Sequence, residues 1–285
     1  MLPVQATADP GSTPAASRLA TAAESVDAWF GSHRRLYLAG ASILCLLTFS
    51  GYAHAKTPWM DEVLLLTIAR LKGLRDIWAA LMAGIQTDPP VLQTLVHYLF
   101  RFFGEHIFLA RVPAILGFCL MCVCLAILLW RHVPPIYAAT AFFLPYATVL
   151  RVWSMDARPY GMMMGFSALT LLCWDAFGDL NSAYRTSWRI AFTLSLAATF
   201  STHFYSILLL LPLAAGELTR WVLRKRADWT TVVCAVPGLA IYGMWLPILF
   251  SGMRVFQVSA RHYHGKVSFD NFAGFYSFAI ASAQL

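Results

Sequence analysis

Charge is what this chain has least of. Asp, Glu, Lys and Arg together make up 12% of its 285 residues, roughly half of the about 25% usual in soluble domains. No chain folded in water covers its surface with so few ionic groups, which excludes an ordinary cytosolic enzyme, a disordered protein and a nucleic-acid-binding domain. Acidic residues are scarcest, 14 against 21 basic, for a formal charge of +7. A basic excess raises the question of nucleic acid, but here the Lys and Arg residues sit between apolar runs, where they orient membrane helices. Cysteine is sparse too: all six, Cys45, Cys119, Cys122, Cys124, Cys173 and Cys234, lie inside apolar runs. Zinc needs converging ligands and a satisfied outer shell. Cys119, Cys122 and Cys124 have no His or carboxylate near them, so they read as small buried hydrophobes. A cleaved signal peptide is not expected, because the first apolar stretch begins only near Leu36, behind Arg34 and Arg35. No internal repeat of about 20–50 residues is visible.

What is present is hydrophobic: 59% of residues are apolar, in runs long enough to cross a bilayer. The expected fold is all-α, a polytopic membrane protein with about eight transmembrane helices. Residues 1–35, rich in Ala, Ser, Thr and Pro, read as a disordered cytoplasmic tail, and 36–285 as the transmembrane domain. Spans are expected at about 36–53, 107–130, 134–152, 161–177, 230–250 and from Phe272 onward. The stretch 188–218 is too long for one upright span. Read as a hairpin turning at Ser201-Thr202-His203, it brings Arg131, Arg185, Arg189, Arg220, Arg224, Lys225 and Arg226 to the N-terminal side. Residues 54–106 form a long first loop on the opposite side, carrying interfacial helices. One of these shows an apolar stripe of Leu64, Ile68, Leu71, Trp78 and Met82, interrupted at Gly73. The second follows Asp88-Pro89-Pro90, from Val91 to Phe103. The chain stops at Leu285 within an apolar run, so the expectation is either a true terminus inside a span or part of a longer protein. The expected location is the cell membrane, with the N-terminus cytoplasmic and the ionisable clusters on the outer face.

Those clusters are the candidates for chemistry. Asp61-Glu62 follows Pro58-Trp59-Met60. It can cap a helix N-terminus, or hold a carboxylate at the membrane boundary to take a proton from an acceptor hydroxyl. Neighbours on a helix point about 100° apart, so the two carboxylates would not share one task. Asp88 precedes Pro-Pro and suits a turn. Asp156-Ala157-Arg158-Pro159-Tyr160 offers either an Asp–Arg tie at a helix end or an arginine fork for a phosphate. His203 stands at the hairpin turn among Thr202, Phe204 and Tyr205, where a packed, hydrogen-bonded histidine is the commoner reading and a functional one the alternative. Arg261-His262-Tyr263-His264-Gly265-Lys266 fits an aromatic anchor or an anionic head-group contact. Under the charge-derived topology, all of these fall on one side of the membrane.

The ordered set Asp61-Glu62, Asp88-Pro89-Pro90, Arg111-Val112-Pro113, Asp156-Ala157-Arg158-Pro159-Tyr160 and Thr202-His203-Phe204-Tyr205 resembles the membrane glycosyltransferases of the C-type superfamily. It is closest to their protein mannosyltransferase and aminoarabinose-transferase branch. The similarity runs from about Trp59 to Tyr205 and more loosely beyond. It implies transfer of a sugar, with inversion, from a polyprenyl-phosphate donor to an acceptor hydroxyl on a protein, lipid or glycan. Asp61 and Glu62 would carry the base function, Arg158 would meet the phosphate, and Asp156, Asp88, His203 and Tyr160 would support binding. No cofactor is required and the spacing demands no metal, although a divalent cation has room beside Asp61. Three departures stand out: Asp88 where the family often has His, Asp156 where it often has Glu, and a shorter chain. The rival expectations are a transporter or flippase for a lipid-linked sugar and a non-catalytic membrane subunit. The transferase reading requires that Asp61 and Arg158 share one hollow at one face.

Overall fold

The computed structural model describes residues 14–259. Loop Arg261–Lys266, the run from Phe272 and the chain end at Leu285 lie outside the described residues. Among those described, every regular element is helical: α1 (Pro14–Ser32), α2 (Arg34–Ala55), α3 (Met60–Ala69), α4 (Leu74–Met82), α5 (Val91–Phe103), α6 (Ile107–Trp130), α7 (Pro135–Phe143), α8 (Leu150–Trp153), α9 (Tyr160–Gly178), α10 (Arg185–Phe200), α11 (Leu210–Arg224) and α12 (Thr230–Ser259). Among the described residues, five stretches are long and apolar enough to cross a membrane: Arg34–Ala55, Ile107–Trp130, Tyr160–Gly178, Phe204–Arg224 and Thr230–Val255. The chain is an all-helical membrane protein.

Three expectations change. The segment read as a disordered tail contains α1. Its Ala-rich sequence favours helix, and it docks on the bundle, where Asp27 Oδ1 accepts from the Ile136 amide at the start of α7 at 2.8 Å and Phe30 packs edge-on against Tyr37. The single span expected at 134–152 is broken into α7, a short 3-10 turn (Leu144–Ala147) and α8. Pro145, which offers no amide and crowds the preceding turn, sits at the break. The apolar stripe of the first loop is also out of phase. Gly73 separates α3 from α4, so the helical period restarts. The buried residues are Leu65, Ile68 and Ala69 on α3 and Ile77 and Leu81 on α4, whereas Leu64, Trp78 and Met82 face outward. The hairpin at Ser201–His203 stands. α10 and α11 run antiparallel, and Arg224 at the end of α11 donates to Gly178 O at the end of α9 at 2.6 Å.

The most extensive helix–helix contact is α6 on α9, and its cause is small residues. Gly161 and Gly165 are four apart and face Ala114 and Gly117 on α6. A Cβ at Gly161 would come within 2.3 Å of Ala114 O, and one at Gly165 within 2.3 Å of Gly117 O. This is the small-xxx-small packing of membrane helices. It fixes the start of α9, and with it the loop 156–160, against the start of α6. Gly161→Ala must push two backbones apart, so it is expected to cost about 1–3 kcal/mol, read as a lowered Tm in detergent. Gly40→Ala, with nothing within 4 Å of the new methyl, should leave Tm unchanged or raise it. Equal Tm shifts for the two would contradict the packing account.

The first loop closes one end of this bundle. Leu65 and Ala69 of α3 and Leu92, Val96 and Phe100 of α5 pack on Ala110, Ala157 and Met162. Ile68, Ile77 and Leu81 pack on Ile248 of α12.

Candidate active site

The two adjacent carboxylates divide as helical geometry requires. Glu62 is fully buried and forms a bidentate ion pair with Arg111, with Nε to Oε1 at 2.9 Å and Nη2 to Oε2 at 2.8 Å. Its oxygens also accept from the Ala157 amide at 2.6 Å and the Trp59 amide at 2.9 Å. Arg111 spends its remaining donors on carbonyls at the end of α2 and just after it: Ala53 at 2.5 Å, Lys56 at 2.7 Å and Thr57 at 3.3 Å. All five guanidinium N–H groups therefore have partners. Burial alone would raise the Glu62 pKa, but Arg111 and the two amides outweigh it and hold the carboxyl below its ordinary range. Glu62 has no face toward solvent, so the geometry withdraws it from the expected base role. It is a clasp joining α2, α3, α6 and the 157 loop.

Asp61 turns the other way. Its carboxylate pairs with the Arg158 guanidinium, both side chains being about one-third exposed. Arg158 also lies over the Tyr160 ring, 5.1 Å from its centroid, a cation–π contact. Asp156, expected at the substrate, is buried and paired with Lys56. It anchors the loop that presents Arg158 and does not reach the cavity.

That cavity, of about 460 Å³, is walled by Asp61, Asp88, Arg158, Tyr160, His203 and Tyr205, and closed by Gln86 and the end of α12. Gly84, at φ 76°, turns the chain after α4 beneath Val255. The volume lies within the about 300–1,000 Å³ of small-molecule sites. Five of the seven expected site residues line it. Glu62 and Asp156 support it from behind.

Asp88 and His203 form a matched pair. Asp88 Oδ2 accepts from Gln86, which itself accepts from Gln93, each at 3.1 Å. Asp88 Oδ1 lies 3.3 Å from His203 Nε2. His203 Nδ1 accepts from the Tyr205 amide at 3.0 Å, so the neutral ring carries its proton on Nε2 and donates it to Asp88. Burial lowers the His203 pKa to about 4, with Arg158 adding to the effect. Burial raises that of Asp88 to about 6; Asp61 adds to the rise, and Gln86 and Arg158 oppose it. The linkage signs are opposite. The stability contributed by Asp88 is present below the ordinary carboxylate pKa and is lost as pH rises through about 6. That contributed by His203 is present above the ordinary imidazole pKa and is lost as pH falls through about 4. Between these limits both are neutral, and Asp61 and Arg158 are the charged pair of the cavity. A singly charged phosphodiester is therefore expected to bind roughly ten-fold more tightly at pH 5 than at pH 7.5. Asp88→Asn should flatten that profile, as a calorimetric titration with a short-chain polyprenyl-phosphoryl sugar would read. A persistent slope in Asp88→Asn would assign it to another group.

Lys56 and Gln86 complete the site and were not singled out from the sequence; Arg111 and Tyr205 stood there only within motifs, without a role of their own. Arg111 did leave a signal: an arginine in the first turns of an otherwise uncharged 24-residue helix demands a buried anion. Among the described residues, no three His, Cys, Asp or Glu side chains are placed to hold a metal ion. Among the described residues, the carboxylates in the cavity walls are Asp61 and Asp88. No protein-family model matches this chain, and no characterised protein or solved structure does.

Proposed function

We propose that this protein is an integral membrane glycosyltransferase that moves a sugar from a polyprenyl-phosphate donor to an acceptor hydroxyl, with inversion, at the outer membrane face. The observation that supports it is the meeting of Asp61 and Arg158 on the wall of a polar cavity at one end of an apolar bundle. The two residues are 97 positions apart in sequence, and the chemistry asks for both. Arg158 offers forked, permanently charged donors to the leaving phosphate. As the phosphate takes over the guanidinium, the Asp61 carboxylate is released to accept the proton of the attacking hydroxyl. The new O–C1 bond forms as the C1–O bond to phosphate breaks, and the leaving charge stays on Arg158. Tyr160 and Tyr205 give the sugar aromatic faces, and His203 Nε2–H stays with Asp88. A carrier whose tail remains in the bilayer brings only its head group to such a cavity, where water competes poorly as acceptor.

The test is transfer of labelled sugar from a polyprenyl-phosphate donor by the purified full chain in liposomes, with a membrane extract as acceptor. Label leaving the carrier with inverted anomeric configuration is the expected result. Label that crosses the bilayer still attached to its lipid would replace this reading with that of a transporter.

A further inference from the structure

A second cavity, of about 960 Å³, lies at the opposite end of the bundle, where α10 and α12 begin and α11 ends. Four arginines line it, Arg185, Arg189, Arg224 and Arg226, against one carboxylate, Asp228. Asp228 is already committed: it accepts from Arg185 at 3.0 Å and from the amide and hydroxyl of Thr230. Arg224 reaches Gly178 O, leaving donors to spare. Arg189 Nε is buried and has no hydrogen-bond partner among the described residues, a cost that a bound acceptor would remove. Arg220 is not part of this set, since it is spent on Glu217 and stacked on Trp174.

Positive charge at this end of the helices is what membrane orientation requires. Orientation does not require four guanidinium groups to converge on one hollow, nor one of them to be left with an orphan donor. Leu180 and Trp229, both strongly exposed, stand at the rim. This is the layering of a lipid–water boundary: apolar and aromatic surface beside a nest of cations. We infer that this cavity is a phosphate-anion site for the head group of an anionic phospholipid, in the leaflet opposite the candidate active site. Arg189 and Arg226 are its free ligands, and Arg224 donates the rest. The inference does not depend on the transferase reading, and its test measures no sugar transfer.

The full chain in dodecyl maltoside is titrated with phosphatidylglycerol, with phosphatidylcholine and with inorganic phosphate, and binding is read by native mass spectrometry and by Tm. Phosphatidylglycerol should bind and raise Tm, and phosphatidylcholine should not. Inorganic phosphate bound as tightly as phosphatidylglycerol would keep the anion site but overturn the lipid assignment. Arg226 is exposed, so Arg226→Gln should fold normally and weaken phosphatidylglycerol about five-fold, with Arg189→Gln adding a similar factor. Arg35→Gln, at the same end of the bundle but outside the cavity, should change nothing. Unaltered binding in Arg226→Gln, or an equal loss in Arg35→Gln, would reduce the cavity to diffuse surface charge and overturn the proposal.

Discussion

Asp61→Asn is expected to lower sugar transfer about 10²–10⁴-fold, the range for loss of a positioned general base, while the protein stays folded and still binds donor. Asp61 is partly exposed and its single strong partner is Arg158. The isosteric amide keeps the side chain's shape and removes only its charge and basicity. The freed guanidinium then meets the donor phosphate without competition, so the loss should fall on kcat, with KM unchanged or lower. Arg158→Gln should show the opposite balance, with donor affinity failing first. If Asp61→Asn turns over at the wild-type rate, another group takes the proton. If it no longer binds donor, the ion pair and not the base is what the cavity needs.

The adjacent carboxylate should behave differently. Glu62→Gln or Arg111→Met leaves one fully buried charge without its counterion, a loss of about 3–5 kcal/mol against a total stability of about 5–15 kcal/mol. Little folded protein is expected from either variant in fluorescence-detected size exclusion. The double replacement should recover only part of the loss. It removes the uncompensated charge, yet Ala53, Lys56 and Thr57 lose the donor that their carbonyls share. Glu62→Asp, one methylene short of the fork, belongs between these extremes. Wild-type melting of the single variants would show that the clasp contributes nothing, and the division of labour between residues 61 and 62 would fall with it.

How much of this could be read beforehand depends on which force set each feature. That the clusters at Asp61, Asp88, Arg158 and His203 gather at one end of the bundle was legible, because arginine placement and span length are strong, local signals. Asp61, Asp88, Arg158, Tyr160 and His203 do converge. The hairpin at His203 was legible for the same reason. Which of two adjacent carboxylates faces in was not, since that is decided by a partner 49 residues away. The phase of the first-loop helices was lost at Gly73, where a single break rotates every later residue about the axis. The α6–α9 contact is encoded in Gly161-Met162-Met163-Met164-Gly165, a spacing of small residues that a hydrophobicity pattern does not register. The helix in the N-terminal segment escaped because composition there says polar and small, while docking on α7 decides the matter.

Chain order gives the Glu62 clasp a further meaning. Its salt-bridge partner lies 49 residues downstream and the last amide it requires lies 95 residues downstream. At a synthesis rate of about 5–20 residues per second, the loop behind α2 waits roughly 5 to 20 seconds before its carboxylate is fully coordinated. Glu62 is already made when Arg111 arrives with α6, so the ion pair can form then, but the carboxylate lacks its Ala157 amide donor until residue 157 follows. Completion of the clasp thus follows the entry of α6: the loop settles only when the helix that begins at Tyr160 has arrived.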